Sequence, residues 1–221
     1  MAHDPAAIEE LLGAGAPRGD DTLEEMVAAR RDFLVGYQDD ALADRYGATI
    51  ERVRSAEQAV HDGEQLSRAV AQAWFRLLSY KDEYEVARLH TSPEFLQSLK
   101  RDLGKQARLR FHLAPPLLGG KKDARGRPLK RQFGAWILPV FGMLASLKRL
   151  RGTALDIFGY TAERRMERQL ICEFEKMLND ALPNLTAESH ADLLSHVQTY
   201  LDIRGFGPVK ELAVQEMRAT D

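Results

Sequence analysis

The run "AVAQAWFRLL" followed by "SYKDEYEVARLHT" constrains this chain more than any other stretch. Val70, Trp74, Leu77 and Leu78 recur at helical spacing, so they form the inward face of an amphipathic helix. The continuation, residues 79–91, is dense in ionisable side chains. Carrying one helix from Ser67 to about Leu89 places Lys81, Glu85 and Arg88 on that same inward face. Burying unpaired charge costs several kcal/mol, so these three are expected to form a buried ion network. Lys81 would pair with Glu85 at i,i+4, and Glu85 with Arg88 at i,i+3. Such a network locks neighbouring helices in register. The sharper alternative is a site for an anion or partner, framed by Lys81, Arg88, Tyr80 and Tyr84.

Helical signals dominate the rest of the sequence. Thr22 followed by Glu25 has capping-box spacing, and Met26, Phe33, Leu34, Tyr37, Leu42 and Tyr46 extend an apolar stripe through one or two long helices. Ser92-Pro93-Glu94 marks a further helix start. An apolar helix is expected over about 138–151, one capped by Thr161, one beginning near Thr186, and a last one opening at Pro208. Residues 1–21, containing "GAGAPRGDD", read as a linker or the tail of a preceding domain, with one helical C-terminal domain over 22–221.

The helical period fails once. Leu109, Phe111 and Leu113 alternate with Arg108, Arg110 and His112, which is strand periodicity, and "LKRQF" at 129–133 can return as a second strand. The fold class expected is therefore mainly α: a helical domain with one small β-hairpin at about 108–133. The hairpin loop carries Lys121, Lys122, Arg125, Arg127, Lys130 and Arg131. Residues 100–168 hold 17 Lys or Arg against 5 Asp or Glu, while the remainder holds 14 against 28. A basic block between acidic ones either neutralises itself on folding or presents a docking patch to an acidic partner. The patch has no interleaved aromatics, which disfavours nucleic acid.

Other constellations have plainer readings. "RGFGPVK" at 204–210 could hold a phosphate at a helix N-terminus, but a glycine turn followed by a proline start explains it as well. His190 and His196 are six apart on one helix and face different ways, and no HExxH occurs, so no metal site is expected. Cys172 is the only cysteine. It cannot form an internal disulfide or ligate a cluster, and it reads as a surface thiol near Arg165, Arg168 and Lys176. Glu163 and Glu167 suit the first turn of a helix rather than a catalytic pair. The most apolar run, 135–147, is too short to span a bilayer and contains Pro139. No signal peptide is apparent, so a soluble, cytoplasmic protein is expected.

Three stretches taken together, "AWFRLLSYKDEYEVARLHT" (73–91), "RFHLAPPLL" (110–118) and "LRGTALDIFGYTAERRMER" (150–168), resemble the C-terminal helical region of indolepyruvate ferredoxin oxidoreductase. The likeness is to the fused-chain form of this 2-oxoacid:ferredoxin oxidoreductase family. "GRPLKRQFG" (126–134) and "IRGFGPVKE" (203–211) fit as well, and the resemblance spans about residues 20–215. It implies parent enzymes that use thiamine diphosphate, iron–sulfur clusters and coenzyme A, with the motifs for these groups lying upstream of this region. It transfers no catalytic, cofactor-binding or metal residue to this chain, which is expected to be non-catalytic by itself. The implied role is an accessory domain supporting assembly. Its partners would be the remainder of the oxidoreductase chain or subunits, with the basic loop docking ferredoxin or coenzyme A, and no membrane. The alternative is a stand-alone anion- or nucleic-acid-binding helical module.

Overall fold

A computed structural model describes residues 21–103, 109–113, 129–205 and 207–220. Among these the chain is mainly helical with one two-stranded hairpin, as expected. The helices are α1 (Leu23–Tyr37), α2 (Asp40–Gln58), α3 (Gln65–Leu78), α4 (Glu83–Thr91), α5 (Pro93–Leu103), α6 (Leu138–Ser146), α7 (Ala162–Ala181), α8 (His190–Asp202) and α9 (Pro208–Thr220). Strands β1 (Arg110–Leu113) and β2 (Arg131–Gly134) pair antiparallel, with Phe111 opposite Phe133 and His112 opposite Gln132. Only Asp21 of the expected linker is described, and Lys121, Lys122, Arg125 and Arg127 lie outside the described residues.

Local chemistry sets the helix boundaries. Thr22 and Glu25 form the reciprocal capping box before α1. Asp39 accepts from the Leu42 N–H at 3.0 Å, which starts α2 and divides the long helical stretch in two. Ser92 caps α5 through the Phe95 N–H at 3.2 Å.

The expected single helix from Ser67 to Leu89 is interrupted. α3 stops at Leu78, where the Ser79 hydroxyl donates to the Phe75 carbonyl. The Tyr80 carbonyl takes the Tyr37 hydroxyl at 2.7 Å. The Asp82 carboxylate then accepts the Glu85 N–H at 2.8 Å and opens α4. The Tyr80 carbonyl and the Glu85 N–H, which a continuous helix would pair within itself, thus have side-chain partners instead.

The chain divides into two compact units, where a single domain over 22–221 is expected from the sequence. One unit holds the residues up to Tyr80 together with 169–203: α1, α2, α3, the second half of α7, and α8. Its core is aromatic. Trp74 is fully buried and stacks on Phe174, whose edge meets Tyr200. Arg45 forks onto Glu175 at 2.8 and 2.6 Å while lying over the Trp74 ring.

The second unit holds 81–168 and 204–220. Here α4 packs on α6, and Ala87, Phe111, Ile137 and Phe141 form a buried cluster that includes the inward side of the hairpin. Arg110 and His112 face water, as the alternation predicts.

Candidate functional site

The charge-dense stretch after α3 pairs mainly with a segment about seventy residues away. Arg151 donates to both carboxylate oxygens of Asp82, at 2.5 and 3.0 Å, and its guanidinium lies over the Tyr84 ring. Both side chains are 3% exposed. The Tyr84 hydroxyl donates to Asp156 at 3.2 Å, and Phe158 meets the Tyr84 ring edge-on. Burial, and then the Asp156 charge, push the Tyr84 phenol well above its ordinary value of 10. Asp156 also accepts the N–H groups of Gly152, Phe158 and Gly159, so one carboxylate shapes the loop before α7.

Next to this pair, Glu83 stands 3.6 Å from Arg164, too far for a hydrogen bond. Burial holds the Glu83 carboxyl above its ordinary value despite the Arg164 charge. Further along α7, Glu163 accepts the Gly207 N–H at 3.2 Å and Glu167 takes the Lys210 ammonium at 2.5 Å. The two glutamates of α7 thus hold the start of α9, one through the backbone N–H just before it and one through a side chain in its first turn.

Of the three residues expected in the buried network, Glu85 is 1% exposed and receives both Nε and NH2 of Arg88 at 2.7 Å. Lys81 is half-buried on the bend before α4. Because α4 begins at Glu83, the i,i+4 relation of Lys81 to Glu85 and the shared face with Trp74 do not apply. Burial, and secondarily the charge of Lys130, lower the Lys81 pKa from 10.5.

In the other unit, Glu57, His61 and His190 bring their ligand atoms within 4.8 Å of one another. Glu57 is fully buried. One of its oxygens takes the Leu66 N–H at 2.8 Å and His190 Nε2 at 3.0 Å, and the other takes the Ser67 N–H and hydroxyl at 2.8 and 2.5 Å. Glu64, the residue before α3, makes no side-chain cap, so Glu57 caps that helix from α2 instead. Burial pushes the Glu57 carboxyl up, but these hydrogen bonds outweigh it and hold the carboxyl below its ordinary 4.5.

The His61 and His190 rings stack at 4.3 Å, 3° from parallel. Parallel stacked imidazoles share no in-plane point, so His61 has to turn before both rings can direct lone pairs at one ion. His61 Nδ1 is buried without a hydrogen-bond partner. The sequence reading missed this cluster because His190 lies 133 residues from Glu57. The only local signal is the i,i+4 spacing of Glu57 and His61.

Three surface features remain. An open groove of about 500 Å³ runs between α3 and α8, lined by Gln65, Arg68, Gln72, Leu194, Gln198 and Leu201 among others. Cys172 is exposed on α7. On the second unit, Trp136, Val140, Met143 and Leu147 leave a large apolar face in water, and Lys130 and Arg131, which precede it in sequence, are exposed. No helix among the described residues is long and apolar enough to cross a membrane.

Comparison with known proteins gives one assignment. No curated protein and no solved structure matches the chain. The DUF6537 family, described as a family of unknown function, matches residues 23–220. That span takes in both units, from the Thr22-capped helix to the end of α9, and the chain belongs to this family.

Proposed function

We propose that this chain is the C-terminal accessory region of a ferredoxin-linked 2-oxoacid oxidoreductase of the indolepyruvate type. It stabilises the assembly and offers a docking surface, while thiamine diphosphate and iron–sulfur chemistry takes place in the remainder of the enzyme. The observation that supports this reading is where the resemblance-bearing residues go. Asp82, Glu83 and Tyr84 of the first stretch meet Arg151, Arg164 and Asp156 of the third, in that order. These side chains engage one another inside one unit rather than lining an open cleft, as expected of a scaffold.

The test is purification of the chain, tagged, from its native host, with a viologen-reduction assay on the eluate. Reduction that depends on both 2-oxoacid and thiamine diphosphate is expected; its absence overturns the accessory reading. Ferredoxin or coenzyme A would meet the basic hairpin loop. Changing Lys121, Lys122, Arg125 and Arg127 to Glu should raise the KM for ferredoxin and flatten its salt dependence. An unchanged KM and salt slope removes the loop from the docking surface. The +12 excess of residues 100–168 favours the second reading, an anion- or nucleic-acid-binding module. Retention of mixed-sequence RNA or DNA at low salt, with no oxidoreductase in the eluate, would select it.

A further inference from the structure

α6 is apolar on both sides. Its inward side, Phe141 with Leu138, Leu144 and Ala145, packs into the cluster around Phe111. Its outward side continues a stripe begun by Trp136 in the 3₁₀ turn Ala135–Ile137. Trp136, Val140, Met143 and Leu147 are 65, 40, 59 and 39% exposed. They recur at i, i+4, i+7 and i+11, the spacing of a helical stripe. Pro139, Gly142 and Ser146 are exposed among them and carry no charge. A surface helix ordinarily turns charged residues to water.

The Trp136 ring is positioned by its neighbours. It lies edge-on to Phe133 at 6.0 Å, and a Cβ on Gly134 would fall 3.2 Å from Trp136 Cδ1. Tryptophan and methionine are side chains that interfaces favour.

Charge selects among occupants. From Ala124 to Leu155 the chain has no Asp or Glu but seven Lys or Arg, one of which, Arg151, is taken up by the buried Asp82 pair. Lys130 and Arg131, just before the stripe in sequence, and Arg149, just after it, are exposed. A second copy docking two-fold on this face would bring like charges together. The helical spacing suits an apolar ridge laid along the stripe.

We propose that the outward face of α6, with Trp136 at its end, docks an acidic amphipathic helix of a partner protein. This inference rests on the face itself and stands independently of the oxidoreductase reading.

The full chain is titrated with a fluorescein-labelled helical peptide of about 18 residues, five turns, carrying Leu along one face and Glu elsewhere. The same peptide with Lys in place of Glu is the control. Trp74 is fully buried and Trp136 exposed, so a blue shift of tryptophan emission on binding reports Trp136. The Glu peptide is expected to bind with that shift and to weaken as salt rises. W136F should abolish the shift, and M143E should weaken binding about tenfold or more with the far-ultraviolet circular dichroism unchanged. Equal binding of the Lys peptide, wild-type affinity in M143E, or no binding of the Glu peptide overturns the proposal. So does a blue shift produced by phosphatidylserine vesicles but not by the peptide, or a dimer in sedimentation that M143E dissociates.

Discussion

Replacing Arg151 with Met tests how much the second unit depends on one buried pair. Methionine fills the volume of the aliphatic stem but removes two of the three hydrogen bonds that the Asp82 carboxylate accepts. With both side chains 3% exposed, solvent reaches neither partner well. Removing one partner of such a pair costs about 3–5 kcal/mol, mostly because the other charge is left buried and uncompensated. For a chain of this size that corresponds to a fall of about 6–20 °C in Tm. Thermal unfolding followed at 222 nm measures it. The decisive comparison is a double-mutant cycle with Asp82→Ser, in which serine still caps α4 but leaves no orphaned carboxylate. In that background Arg151→Met should cost about 2 kcal/mol less than in the wild type. An equal cost in both backgrounds, or a Tm change below about 2 °C for the single variant, refutes the argument that the stranded charge dominates.

Two further outcomes follow from the geometry. Glu57→Gln should destabilise the protein at pH 7, because the carboxylate that caps α3 is lost. The folded carboxyl lies below 4.5, so the unfolded chain takes up the proton first as pH falls. Its contribution is complete above about pH 4.5 and is lost as pH drops through the folded pKa. Wild-type and variant urea midpoints should therefore converge in acid, and a pH-independent gap would refute the assignment. Gly205→Ala should cost about 1–3 kcal/mol, because Gly205 has φ of +91° and a Cβ there would fall 2.7 Å from Val209 Cγ1. Gly152→Ala, at φ +74° with open space around it, should cost less. Equal urea midpoints for the two variants would show that the Val209 contact carries nothing.

What the sequence determined by itself acts within about one helical turn. The capping box of Thr22 and Glu25, the Ser92 cap and the Arg88–Glu85 pair each join residues three apart, within direct reach along the chain. The alternation around Phe111 likewise placed the hairpin, because strand geometry turns successive side chains to opposite faces. Tertiary structure alone decided the rest. Tyr37 reaches the Tyr80 carbonyl across 43 residues, Arg151 reaches Asp82 across 69, and His190 reaches Glu57 across 133. The first fixes the chain just past the end of α3, the second holds the Asp82 carboxylate that caps α4, and the third holds the Glu57 carboxylate that caps α3. The helical period through residues 79–91 did not reveal the break, because the Tyr37 hydroxyl that takes the Tyr80 carbonyl, and the Arg151 guanidinium that holds the Asp82 cap in place, come from elsewhere in the chain. Nor could it show which side of α6 stays uncovered. An apolar helix looks the same in sequence whether one face or both are packed, and only the placement of Ala87, Phe111 and their neighbours assigns the inward side.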